Sequence, residues 1–145
     1  MGNVQPNYNA APDIGYEGQI ADMRSYEAVS RICEDATLAF GRAVIRGTAD
    51  NQVKVGAAGK FVGITMRDIT LPAANNDAYK QGNTVAVMTR GTMFAIPGAN
   101  VADGDAVYYT ATGALTNVAT DNTLIPNAVW ERTTSSGNLG LIRLQ

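Results

Sequence analysis

The sequence predicts an all-β fold, a single-domain β-sandwich or jelly-roll-like barrel with an extended N-terminal arm. Three observations carry that expectation. Short stretches rich in Val, Ile, Thr, Tyr and Phe recur along the chain, separated at fairly regular spacing by Gly, Asn, Asp and Pro. No helical pattern longer than two turns is convincing. Fifteen glycines supply the bends and bulges that closing a sheet requires. With 145 residues, 46% of them hydrophobic, the chain is one domain's worth of material for one packed core.

Residues 1–22 read as the arm and residues 23–145 as the β domain. The stretch 2–12 is Asn, Gln, Pro and Ala around one aromatic, Tyr8, and Pro6 and Pro12 bias the residues before them to extended conformations. Ile14, Tyr16 and Ile20 follow among Gly15 and Gly18. Such sparse apolar anchors suit a segment that orders when laid on a partner, although an ordinary loose terminus has the same composition.

Residues 25–35 are ambiguous. Tyr26, Val29 and Cys33 would share a helical face, whereas alternation sets Ala28, Ser30 and Ile32 against Val29, Arg31 and Cys33. A strand is favoured because β patterns follow. Residues 39–47 read as a strand entering a turn at Thr48-Ala49-Asp50-Asn51, residues 53–55 as a short strand closed by Gly56 and Gly59, and residues 61–68 as the next. Pro72 and Asn75-Asn76-Asp77 mark residues 71–81 as a loop. Residues 84–96 carry the longest strand signal, in which Gly91 predicts a bulge or bend. Two hairpins end the chain: residues 106–110 with 114–117 around Gly113, and residues 127–132 with 139–144 around Ser135-Ser136-Gly137-Asn138.

The residue inventory narrows the chemistry. There is no histidine, so Ser-His-Asp and Cys-His catalysis, His metal ligation and His proton shuttling are all excluded. The single cysteine, Cys33, allows no intramolecular disulfide and reads as a small buried hydrophobe. A net charge of −2 argues against a nucleic-acid partner. The longest apolar blocks, such as residues 93–96, are too short to span a bilayer as a helix, and the start has neither a secretory nor a myristoylation pattern. The expectation is a soluble protein made in a reducing cytoplasm, without membrane or cofactor.

Each candidate site has a plainer explanation beside it. Asp103-Gly104-Asp105 has calcium-loop spacing but no closing carboxylate before Asp121, so it reads as a turn into the next strand and no metal is expected. Glu17 with Glu34-Asp35 could be imagined as a glycosidase pair, yet four glutamates and nine aspartates scattered through loops offer many accidental pairs. Gly56-Ala57-Ala58-Gly59-Lys60 lacks the spacing and the following Ser or Thr of a phosphate loop, and reads as a turn. Six tyrosines and Trp130 leave a carbohydrate-binding sandwich as an alternative function, with Tyr108-Tyr109 placing one ring on each face of its strand. No catalytic residue emerges, and the chain reads as a non-enzyme.

An ordered set of segments resembles a known family. Phe40-Gly41-Arg42-Ala43-Val44 with Gly47-Thr48, then Lys60-Phe61-Val62-Gly63-Ile64-Thr65, is similar to the small cement (decoration) proteins of tailed-bacteriophage capsids. So are the run from Gly82 through Arg90-Gly91, Gly104-Asp105-Ala106-Val107-Tyr108-Tyr109, and the ending from Trp130-Glu131 to Leu139-Gly140-Leu141-Ile142-Arg143-Leu144. The resemblance implies a structural virion protein that is assembled in the host bacterial cytoplasm and decorates the outer capsid surface. Its implied partners are the major capsid protein, whose adjacent subunits it bridges, and itself, as a homotrimer in preference to a homodimer. Tyr8, Ile14, Tyr16 and Ile20 are then the expected anchors of an arm laid on the coat or on a neighbouring cement subunit.

Overall fold

The computed structural model describes residues 15–76 and 78–145. Eleven strands and one 3-10 turn are found among these residues. In chain order they are β1 (Glu27–Cys33), β2 (Thr37–Ala39), β3 (Ala43–Arg46), β4 (Gln52–Lys54), β5 (Phe61–Thr65), the 3-10 turn (Ala73–Asn75), β6 (Ala78–Lys80), β7 (Thr84–Ala95), β8 (Ala106–Tyr109), β9 (Leu115–Thr116), β10 (Thr123–Trp130) and β11 (Gly140–Leu144). The all-β expectation holds.

The topology turns on β7. Its N-terminal half closes a five-stranded ring, β1-β4-β3-β5-β7 and back to β1, antiparallel except for the β1–β4 pair. Its C-terminal half carries the second unit, β11-β10-β8-β9, whose last strand is bridged to Pro97 just beyond β7. Gly91 marks the changeover: β1 pairs with β7 as far as Arg90, and β11 takes over at Gly91. The predicted irregularity is therefore a change of partner within one strand. Gly91 has φ +133, and a Cβ there would lie 2.7 Å from Tyr26 Cβ, so glycine is required.

Alternation along the shared strands sorts the core into two clusters. On β3, Val44 packs with Cys33, Val53, Val85 and Val87, whereas Ala43 and Ile45 face Met88, Met93, Trp130 and Ile142. The ambiguous stretch 25–35 holds strand β1 (Glu27–Cys33), with Val29, Arg31 and buried Cys33 on its inward side. Both predicted hairpins are present, β8 with β9 and β10 with β11.

Two expectations need correction. Residues 39–47 do not form one strand: Gly41, at φ +69 and pressed against the Glu17 side chain, breaks the run between β2 and β3. The stretch 71–81 is not all loop, because β6 pairs with β2 in a separate two-stranded sheet that holds buried Tyr79. Proline and asparagine punctuation hid a three-residue strand whose burial comes from tertiary packing.

Candidate functional site

Residues 15–22 are the described part of the predicted arm, and they lie along the outer edge of β7's C-terminal half. Gly18 N–H donates to Phe94 O at 2.9 Å, Phe94 N–H to Gln19 O at 2.9 Å, and Ala21 N–H to Thr92 O at 3.0 Å. Ile20 pairs with Met93 across this edge and packs, half-buried, against the larger core cluster. Gly15 passes so close to Phe94 that a Cβ would lie 2.5 Å from its ring. A tight turn at φ +84 on Gly18 reverses the chain, closed by Gln19 N–H to Tyr16 O at 3.0 Å.

The four predicted anchors thus separate. Ile20 is an intramolecular anchor, and Tyr16 is on the surface, 53% exposed. Tyr8 and Ile14 lie outside the described residues. Tyr16 is held upright by Arg67, whose guanidinium carbon is 5.3 Å from the Tyr16 ring centroid and 4.9 Å from that of Phe40. Arg67 also fixes the turn, its backbone N–H donating to Gly18 O at 2.8 Å and its Nε to Glu17 O at 3.0 Å. Below it, burial pushes the Glu17 carboxyl above its ordinary range, with Arg42 and Arg67 pulling the other way.

Between this turn and the chain leaving β5 lies a mainly apolar groove of about 490 Å³, walled by Tyr16, Ile20, Met66, Arg67 and Ile69. Ile69 is 90% exposed at its rim. An open groove rimmed by a bare isoleucine and a tyrosine suits a macromolecular partner rather than an enclosed small molecule. Met66, Arg67 and Ile69 were not singled out by the sequence. The isolated Ile69 between Asp68 and Thr70 gave the only hint, since it fits no strand period.

The other candidate sites resolve into structure. Asp105 caps its own turn, accepting from Ala102 N–H at 2.9 Å and Asn117 Nδ2 at 2.7 Å, and those bonds hold its carboxyl below the usual range. Glu34 tethers the 48–52 turn through Thr48 N–H and Oγ1, which lower its pKa. Residues 56–60 form a turn packed on Ile45. Cys33 is buried, donates to Asp35 O at 3.2 Å and has its thiol pushed up, burial being the largest cause. Trp130 is wholly buried and Tyr109 nearly so, which removes both rings from any sugar-stacking face. Among the described residues no group of three His, Cys, Asp or Glu could hold a metal ion, and no helix is long and apolar enough to cross a membrane.

Comparison with known proteins places this architecture. No curated protein matches the chain. Its fold is shared with a chain from the capsid of Myoviridae phage XM1, at TM-score 0.77 and 16% identity, covering 100% of this chain and 98% of that one. A more distant likeness is to the N base of head fiber gp8.5 of bacteriophage phi29, at TM-score 0.52 and 10% identity over 83% of this chain and 95% of that one. The family model described as structural cement protein (E217 gp24/Pam3 gp6) matches residues 4–145. Spanning nearly the whole chain, that match settles the assignment: this chain belongs to the phage structural cement protein family and is a structural virion protein.

Proposed function

We propose that this protein decorates the outer surface of an icosahedral phage capsid and reinforces it by bridging adjacent major capsid protein subunits, acting without catalysis. The observation that carries this reading is the family match over residues 4–145. The architecture is compatible with it. A sheet-built body sharing one strand between two halves offers a stiff spacer, and the Tyr16–Ile69 groove gives that body an exposed apolar contact.

The proposed mechanism is avidity. A homo-oligomer, a trimer in preference to a dimer, presents several copies of one surface, each over a different coat subunit. After the first contact the others become intramolecular, so weak individual contacts sum to firm attachment. Residues 1–22 act as the arm in this reading. Ile20 fixes its root to β7, while Tyr16 and the residues before it, including Tyr8 and Ile14, reach the coat or a neighbouring cement subunit. Apolar burial, at roughly 25 cal/mol per Å², drives that contact. Assembly takes place in the host cytoplasm, where a chain without disulfides folds unaided.

Light scattering of the purified chain and co-sedimentation with DNA-free shells, with and without residues 2–12, test the proposal. A defined oligomer that pellets with shells, and pellets less when truncated, is expected. A monomer that stays in the supernatant overturns the cement reading; undiminished binding by the truncated chain overturns the arm.

A further inference from the structure

A second recess, of about 320 Å³, opens where the C-terminal half of β7, the end of β11 and residues 24–25 meet, and it is lined by Arg24, Arg90, Thr92, Arg143 and Gln145. Two of its three guanidiniums are already committed. Arg24 and Arg143 share Glu131, each at 3.1 Å, and Arg24 also pairs with Asp22 at 3.1 Å. Arg90 is exposed and makes no ion pair or side-chain hydrogen bond among the described residues, although Glu27 is its cross-strand neighbour. Thr92, directly opposite Arg143 in the β7–β11 register, is 2% exposed. Its Oγ1 is the one buried side-chain polar atom among the described residues with no hydrogen-bond partner. Buried hydroxyls are nearly always satisfied, so an orphan on the wall of a recess beside an uncommitted arginine calls for a partner arriving from outside.

We propose that this recess receives one carboxylate side chain, an Asp or Glu of the major capsid protein, with the Arg90 guanidinium forking onto it and the Thr92 hydroxyl, covered in the free chain, as second donor once the partly exposed Arg24 and Arg143 side chains move aside. The inference rests on the cement reading and names the chemistry of one of its contacts. Charge selects the occupant. Asp22 and Glu131 answer Arg24 and Arg143, which leaves Arg90 as the unanswered cation, so the recess matches a monoanion, whereas Glu131 and the neighbouring Glu27 repel a phosphate or a nucleic-acid backbone.

Co-sedimentation of the full chain with DNA-free shells of the phage that encodes it tests this, comparing the natural chain with Arg90→Gln, Arg90→Lys and Thr92→Val. Arg90→Gln is expected to weaken shell binding by about tenfold or more, and Arg90→Lys by less, because lysine keeps the charge but loses the fork. Thr92→Val is expected to weaken binding severalfold while its Tm equals or exceeds that of the natural chain, since an isosteric methyl removes an unsatisfied hydroxyl. Acetate is expected to compete better than phosphate at equal ionic strength. Binding within twofold of the natural chain for both Arg90→Gln and Thr92→Val overturns the inference, as does stronger competition by phosphate. If the natural chain itself ignores shells, the cement reading fails first and this inference with it; natural binding with unchanged variants sinks this inference alone.

Discussion

The hydroxyl of Tyr79 donates to the backbone carbonyl of Met66 at 2.7 Å, tying the small β2–β6 sheet to the chain that leaves the five-stranded ring. The Tyr79 ring stands edge-on to Phe40, centroids 5.3 Å apart at 84°. Tyr79→Phe keeps this ring contact and deletes the donor. A loss of about 1–3 kcal/mol is expected, read as a lower urea midpoint with unchanged m. An unchanged midpoint would show that the bond contributes nothing net.

The same side chain sets an alkaline limit. Burial is the main reason the Tyr79 phenol is pushed up to about 12 from 10.0. The folded chain therefore holds a proton that the unfolded chain releases first, so stability present below pH 10 is lost as pH climbs through about 12. Absorbance titration should find a tyrosine ionisation at about 12 that coincides with the onset of unfolding. Tyr79→Phe should remove that late step.

Glu17 works in the same direction, at acid pH. Its raised carboxyl means that the folded chain binds a proton more tightly than the unfolded one, so this contribution is fully present below the ordinary value of 4.5 and is lost as pH rises through the folded value. Glu17→Gln should therefore gain stability relative to the natural chain at neutral pH, with the difference shrinking toward pH 4. Thermal melts across that range check it, and a destabilised variant at pH 7 would mean that the Arg42 and Arg67 attractions outweigh burial.

Two glycines offer a matched contrast. A Cβ at Gly63 would lie 2.3 Å from Met88 O and 2.7 Å from Val87 Cγ1, inside the tight β5–β7 pairing. At Gly98 the nearest atom is Leu115 O, 3.6 Å away. Gly63→Ala should cost about 1–3 kcal/mol, through forced separation of two strands, and Gly98→Ala within about 0.5 kcal/mol. Equal melting temperatures for the two variants would contradict the described packing.

The sequence carried the strand alternation and the turn chemistry well. Val85 and Val87 alternate as a half-buried strand should, and Gly113 sits in the predicted hairpin at φ +80. What it hid was non-local. Tyr79 is flanked by residues that read as loop, and its burial depends on Phe40 and Met66 arriving from elsewhere in the chain. Gly91 signalled an irregularity, but a change of partner cannot be told from a break without knowing where β1 ends and β11 begins. The surface shows the same division. Tyr16 and Ile20 stood out as apolar letters in a polar stretch, while their partners Met66, Arg67 and Ile69 are unremarkable until the turn at Gly18 brings the two segments together. Thr92 and Arg90 sit two apart in an ordinary strand. Only the register with Arg143 and Glu27 distinguishes the committed cations from the uncommitted one.

The sharing of β7 has a mechanical consequence. A tensile load applied between the ring and the β8–β11 half is carried along the covalent backbone of a strand that belongs to both, in addition to the side-chain core that the two halves share. On each half that strand is flanked by antiparallel neighbours, so the load is spread as shear over rows of hydrogen bonds that must yield together rather than one at a time. Between the two halves, such a strand acts as a tie-rod.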